Sequence, residues 1–415
     1  MQDTELYRHL LGLTAPWVVS RVELNVSGQQ VDVWVEHESG ARWRCPGCTR
    51  ELAVYDHSAE RVWRHLDSCQ FATQLHARAP RVECPEHGIR QVSLPWAEER
   101  SRFTILFERF AIDVLLETDI SGAMRVLRIS WDEAMHILEK AVARGKQAKR
   151  SKPPTLLGVD ETSAARGRKY ITVVCDLERG TVEHLSEHRR AESLASYYTT
   201  LTDEEITAIK AVAMDMHEPY VKATKEHVPD WHRKIVFDRF HVMQQLTIAV
   251  DRVRKAEHRD LLANGDRSLV GSKYVWLYSE ENLPPRYADR FEQLRAMELK
   301  TARAWAIKET LRELWRYKRL SIAKKLWKQW DAWARRSKLA PIVRAAATIR
   351  NHIGGIFSYF DNRVTNAMTE GLNGKIQRIK RAAHGYRNTD NFMTAIYFHC
   401  GGLDLYPRPR THAVP

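Results

Sequence analysis

Leu156-Leu157-Gly158-Val159-Asp160 is a short apolar run closed by an aspartate, and the chain repeats the pattern at Ala211-Val212-Ala213-Met214-Asp215 and Ile235-Val236-Phe237-Asp238. Such runs read as strands buried on both faces. A lone carboxylate at the exit of a buried strand is costly unless a cation neutralises it. A fourth carboxylate, Glu370 in Asn366-Ala367-Met368-Thr369-Glu370-Gly371-Leu372-Asn373-Gly374-Lys375, opens a basic helix far downstream. Together the acids predict a metal site at one edge of a central sheet. The chemistry that needs it is phosphoryl transfer by two Mg²⁺ or Mn²⁺ ions, which clamp the attacking and leaving oxygens. The plainer alternative is that each aspartate caps a helix or opens a turn; the shared context of Asp160 and Asp215 weighs against it.

With 415 residues and 44% hydrophobic content, the chain has enough apolar material for two or more domains. Its formal charge of +13 favours a polyanionic partner. No apolar stretch reaches the roughly 18–20 residues of a membrane span, and the opening Met1-Gln2-Asp3-Thr4-Glu5 lacks the character of a signal peptide. A soluble, cytosolic protein is expected.

The cysteines matter by spacing. Cys45-Pro46-Gly47-Cys48 and Cys84-Pro85-Glu86-His87 are matched knuckles, each with its ligand candidates three residues apart. Two such turns complete a tetrahedron with no position left for water, which predicts one structural Zn²⁺. A redox Cys-x-x-Cys is the alternative, but it leaves the second knuckle unexplained. Cys69, Cys175 and Cys400 have no partner spacing and read as small core residues.

Around the knuckles, residues 18–26, 31–35 and 71–82 alternate as strands of a small β-rich module. From Arg102 to Lys149 the period turns helical. Phe103, Leu106, Phe107, Phe110, Val114 and Leu115 form a packing stripe, residues 120–129 a second helix, and Ser130-Trp131-Asp132-Glu133 a capping box that opens a third. Three short helices with a tight turn before the last predict a helix-turn-helix, with Arg125 and Arg128 as DNA-contact candidates. The run Arg144 to Pro154 then reads as a basic linker.

Beyond the linker, three strands in a meander are followed by alternating helix and strand, the order of a ribonuclease H-like fold. That order sets Asp160 on the first strand beside Asp215 on the fourth. From Lys300 to Arg344 there are fourteen Lys or Arg against three acids, a net of +11, interleaved with Trp305, Trp315, Trp327, Trp330 and Trp333. The tryptophans at helical spacing read as core, and the unbalanced charge as a phosphate-binding face carrying Lys324, Lys325 and Lys328. Lys375 and Arg378 continue that character behind Glu370.

Five segments carry a family likeness: the two knuckles, Gly158-Val159-Asp160-Glu161-Thr162, Asp215-Met216, Phe237-Asp238-Arg239-Phe240-His241-Val242 and Thr365 to Asn373. Over about nine-tenths of its length the chain resembles the ISL3 family of bacterial insertion-sequence transposases. The resemblance implies a DDE transposase whose catalytic triad is Asp160, Asp215 and Glu370, with a helical insertion before the last acid. It differs from the Tyr-Arg-Glu-Lys transposases, because Asn366 and Gln377 stand four before and seven after Glu370. It also implies that the zinc and helix-turn-helix modules recognise terminal inverted repeats of double-stranded DNA, and that a homodimer holds two ends. Asp238 is left as an auxiliary ligand or a helix cap. The expected organisation is multidomain α+β: a zinc module at 1–100, helix-turn-helix and linker at 101–150, a ribonuclease H-like catalytic domain at 151–258 and 351–415, and the basic helical insertion at 259–350. A transposase-derived DNA-binding regulator and a ribonuclease H-like nuclease are the competing readings.

Overall fold

The computed structural model describes residues 2–149, 153–165, 169–364 and 367–408. Arg150, Ser151 and Lys152 of the basic linker, and Thr365 and Asn366 of the late motif, lie outside the described residues. The chain forms two compact units: Met1–Arg150 with Ala382–His384 and Asp390–Pro415, and Ser151–Arg381 with Gly385–Thr389.

The first unit opens with α1 (Asp3–Leu10), then β1 (Trp17–Asn25), β2 (Gln30–His37), β3 (Arg42–Arg44), β4 (Glu51–Ala53), β5 (Asp56–His57), β6 (Arg61–Ser68), β7 (Phe71–Ala77), β8 (Pro80–Cys84) and β9 (Gly88–Gln91). A four-stranded sheet in the order β1-β2-β7-β6 is accompanied by the β3-β4 pair and a β5-β8-β9 sheet. Tryptophans supply the bulk of a small core: the Trp17 ring lies 4.7 Å from both Trp43 and Trp96, and Trp96 lies 5.8 Å from Trp63.

Three helices follow, α2 (Ile105–Glu117), α3 (Ile120–Leu127) and α4 (Trp131–Ala148), each opened by a side-chain cap from Thr104, Asp119 and Ser130. The packing stripe on α2 differs from expectation: Leu106 and Phe110 are exposed, while Phe107, Ala111, Ile112 and Leu115 are buried. The i, i+4, i+8 row 107-111-115 faces the core, and Leu106 and Phe110 are rotated by about 100° from it. Glu108, buried under this layer, binds Lys140 at 2.9 Å and Arg144 at 3.2 Å.

Residues from Asp390 onward, expected with Glu370, instead group with this first unit. The reason is apolar. Phe398 and Leu405 enter the three-helix core, and Gly145 leaves room for Leu403, which a Cβ would meet at 2.6 Å.

The second unit holds a five-stranded sheet of β10 (Leu156–Ala165), β11 (Lys169–Asp176), β12 (Thr181–Glu187), β13 (Ala211–Met214) and β14 (Ile235–Phe237). Their order is β12-β11-β10-β13-β14; the first three are antiparallel, and β10, β13 and β14 are parallel. Helices α5 (Ala191–Tyr198), α6 (Asp203–Ala208), α7 (Glu218–His227), α8 (Trp231–Lys234) and α9 (Arg239–Ala263) connect and follow the strands. Then come α10 (Lys273–Leu277), α11 (Ala288–Ala296), α12 (Lys300–Arg312), α13 (Leu320–Arg336) and α14 (Ala340–Asn351), and the chain returns through α15 (Ile353–Asn362) and α16 (Ala367–Ala382).

Sheet and insertion share one hydrophobic core that runs from Leu157 and Val212 to Trp330 and Ile349. Buried Glu257 of α9 ties them together, accepting hydrogen bonds from the Lys300 and Thr301 backbone N–H groups (2.6 and 2.7 Å) and the Thr301 hydroxyl (2.6 Å) at the start of α12. Lys308, fully buried, donates to the carbonyls of Trp276, Leu277 and Tyr278 at the end of α10. No helix among the described residues is long and apolar enough to cross a membrane.

His65 on β6 is buried and hydrogen-bonded at 2.9 Å to Thr104, the residue that caps α2. Burial, with Arg64 adding repulsion, pushes its pKa down to about 4. An unfolded histidine titrates near 6.5, so the unfolded chain takes up a proton that the native ring refuses. The stability is therefore full above about pH 6.5 and is lost as pH falls toward 4, an effect of roughly 3 kcal/mol. Urea unfolding followed by tryptophan emission should show that extra loss in the wild type and not in His65→Asn; equal slopes would place the proton uptake elsewhere.

Candidate functional site

Two sites emerge, one in each unit. In the first, Cys45 and Cys48 occupy the β3-β4 turn and Cys84 and His87 the β8-β9 turn. Their ligand atoms all lie within 4.8 Å of one another, with Cys48 Sγ 3.5 Å from Cys84 Sγ and Cys84 Sγ 3.5 Å from His87 Nδ1. The Gly47 N–H holds the Cys45 thiol below its ordinary pKa. A Cβ on Gly47 would stand 2.8 Å from the His87 ring, so the first knuckle admits only glycine there if the second is to close on it. Three thiols and one imidazole converging in this way are the donor set of a closed structural zinc site.

In the second unit, α16 lies along β10 in matched steps. Thr369 Oγ1 is 3.3 Å from Cys175 Sγ beside Gly158, Asn373 Nδ2 donates to Asp160 Oδ2 at 2.7 Å, Gln377 Nε2 to Thr162 Oγ1 at 2.7 Å, and Lys380 Nζ to the Ser163 carbonyl at 2.6 Å. Four helical residues advance about 6 Å and two strand residues about 6.6 Å, so one face of the helix keeps step with one face of the strand. A Cβ on Gly158 would lie 2.3 Å from Thr369 Oγ1. The glycine thus sets the depth of the seat.

The aspartates differ from expectation in one respect. Asp160 does not end its strand: β10 continues to Ala165, with Asp160 paired to Val173. What ends there is the parallel ladder, whose last β10-β13 pair is Gly158 with Ala213. Asp215 follows β13 directly and accepts the His217 N–H at 3.0 Å. Asp238 follows β14 and caps α9 through the Phe240 N–H.

Burial is the main cause that raises the Asp160 pKa, and the Asp215 and Asp238 charges add to it while His241 opposes them. Glu161 is raised chiefly by burial too, with Asp215 and Asp160 adding and Arg189 opposing. Three buried acceptor oxygens have no hydrogen-bond partner: Glu161 Oε2, Asp238 Oδ2 and Asn373 Oδ1. His241 Nε2 approaches Asp238 Oδ2 only to 3.9 Å. Orphaned acceptors beside mutually repelling carboxylates fit a hard, oxygen-seeking cation.

Glu370 is exposed on α16, one turn before Asn373, and shares a cavity wall with Asp238. Among the described residues, Asp160, Asp215 and Glu370 do not form a group as tight as the zinc quartet. Unneutralised carboxylates repel, and the Asn373 amide takes the inward place against Asp160. Sequence reading assigned no part to Asn373; its spacing of four from Thr369 and Gln377 was the available signal.

The basic candidates divide. Lys324, Lys325 and Lys328 are exposed on α13, and Lys375 and Arg378 on α16. Arg125 is exposed on α3. Arg128 is not free: in left-handed conformation at the turn before α4, it bonds Asp67 and the Gln70 carbonyl. Trp305, Trp315, Trp327 and Trp330 are buried as core, while Trp333 is partly exposed.

Comparison with known proteins agrees with this layout. Residues 157–396, more than half the chain, match the ISL3 DDE family model, described as a transposase. Residues 41–87 match a zinc-finger of transposases IS204, IS1001, IS1096 and IS1165, and residues 92–142 the helix-turn-helix domain of transposase family ISL3. The chain is 27% identical to the transposase for insertion sequence element IS1557 of Mycobacterium tuberculosis, over 94% of this chain and 93% of that protein. It is also 27% identical to the transposase for IS1001 of Bordetella parapertussis, over 85% and 87%.

Protein purified without chelator should carry one zinc per chain by elemental analysis. Cys84→Ser should lose it and expose the first-unit tryptophans to quencher, because metal supplies much of the folding free energy of so small a module. Protein with no zinc but native tryptophan shielding would overturn the assignment.

Proposed function

The chain belongs to the ISL3 family of transposases, and from that membership we propose that it binds the terminal inverted repeats of its insertion sequence, cleaves DNA there and transfers the strand. The observation that carries the reading is the seating of α16 on β10, which brings the Glu370 helix to the sheet edge where Asp160, Asp215 and Asp238 emerge. The strand order supports a ribonuclease H-like catalytic fold, with three antiparallel strands and then two parallel ones.

In this reading Asp160, Asp215 and Glu370 are the catalytic triad and hold two Mg²⁺ or Mn²⁺ ions, with the free oxygen of Asp238 as a further donor. Ions so held supply Lewis-acid polarisation of the phosphodiester and a reactive water or 3′-hydroxyl. The protein's own part is positional. Gly158 lets the helix close, Asn373 orients Asp160 by its amide N–H, and the insertion, sharing the sheet's core, holds the return of the chain in place. No side-chain nucleophile is required, so no covalent protein intermediate forms.

The DNA grip is assigned to the exposed cations. Lys324, Lys325 and Lys328 on α13 and Lys375 and Arg378 on α16 contact phosphate, and Arg125 contributes from the helix-turn-helix. Arg128 contributes only if its bond to Asp67 is given up. Two ends must be held at once, so the active form is a homodimer working in the cytoplasm.

Asp215→Asn should abolish strand cleavage of repeat-bearing duplexes in Mg²⁺ while leaving end binding within about twofold, since one charge at the sheet edge touches no remote phosphate. Cleavage at the wild-type rate would sink the triad. Lys324, Lys325 and Lys328 replaced together by Ala should weaken binding to specific and unrelated duplexes alike, and lower the log–log salt slope by about 0.9 for every phosphate no longer neutralised. An unchanged slope would make that face of α13 merely solvated.

A further inference from the structure

A cavity of about 730 Å³ opens in the second unit between the start of α9, the loop after α10, the end of α12 and the first turn of α16. Its size falls within the roughly 300–1,000 Å³ of small-molecule sites, and its lining is unusual for a surface cleft. Asp238 and Glu370, the free-oxygen acid and the late acid, stand on one wall. Opposite them the lining is aromatic: Trp315, Tyr359 and the Phe240 ring, which is 57% exposed.

Trp315 is the informative residue. Its ring belongs to the core, yet its buried Nε1–H has no acceptor. The Arg239 guanidinium lies 5.7 Å from the ring centre and has no carboxylate partner among the described residues. Arg312 also lines the cavity and is bonded to Glu309. Burial, then repulsion from Arg312, pulls the Arg239 pKa below its usual value, the mark of a site short of an anion.

Flat rings, an unused N–H donor and an unpaired guanidinium together match one chemical object, a nucleotide whose base has left the stack: ring face to ring face, base acceptor to Nε1–H, phosphate to arginine. Stacked bases in a duplex present no ring face, so only an extruded one fits. We propose that this cavity receives one unstacked nucleotide of the bound DNA end, its base against Trp315 and its phosphate against Arg239. The proposal rests on the transposase reading for the identity of the DNA. The insertion then serves a second purpose, which is to hold the strand open beside the phosphodiester to be cut.

The test uses the full-length protein and duplexes spanning the junction between element and flank, with 2-aminopurine placed in turn at each junction position. Binding without divalent metal should raise emission severalfold at one position as that base leaves the stack. Trp315→Ala and Arg239→Ala should lose the rise, while Trp315→Phe keeps it; Arg239 is exposed, so its variant tests the cavity without disturbing the core. In Mg²⁺, the same two alanine variants should cut paired ends about tenfold or more slowly, and a single mismatch at the responsive position should restore most of the rate. Flat emission at every position, or a loss that the mismatch never repairs, would overturn the proposal. The emission needs no cleavage, so a chain that extrudes a base but does not cut would fail the triad assignment and leave this inference standing.

Discussion

The second unit depends on one contact, the close seating of a late helix on its central strand. The seat works because Gly158 presents no side chain where Thr369 must enter, and because the helix and strand repeats nearly match over four and two residues. Once Thr369, Asn373, Gln377 and Lys380 are in step with Gly158, Asp160, Thr162 and Ser163, the rest is constrained. The insertion has to return the chain from the far side of β14 to the middle of the sheet. It does so as a packed helical body, continuous in core with the strands, rather than as a loose loop.

Charge is sorted along the same lines. The strand ends gather carboxylates that burial and one another make reluctant to ionise. The outer faces of α13 and α16 gather lysines and arginines that have few acids to answer them. Within the tract several cations are spent internally, as Arg312 on Glu309 and Arg335 on Asp331 are. The exposed remainder suits a polyanion lying across it. The ring-lined cavity lies where these regions meet, which is why it combines acids, arginines and aromatics.

Much of this was legible in the residues. Apolar runs ending in aspartate marked the strands, matched three-residue spacings marked the zinc quartet, and a capping box marked α4, because each signal is local. Three features were not. Asp160 reads as a strand end because polar residues follow it, but Glu161 to Ser163 remain paired to β11 across the hairpin, a partner that no local pattern names. Asp67 reads as an ordinary surface acid, and only folding sets it against Arg128. The C-terminal helix Thr389–Cys400 reads as a continuation of the Glu370 region, yet its apolar face fits the three-helix core of the first unit. Long-range choice among equivalent apolar faces is decided by shape, which a linear pattern does not carry.

The seat of α16 also has a consequence in time. Asp160 and Asn373 are 213 residues apart, so at about 5–20 residues per second the ribosome makes the aspartate roughly 10–40 s before its amide partner. Throughout that interval the nascent sheet has its acids but no helix to close over them. The same late stretch carries Phe398 and Leu405, without which the three-helix core stays uncovered. A prematurely terminated chain therefore lacks both closures, and emergence of the final segment from the ribosome is the single event that completes the two units.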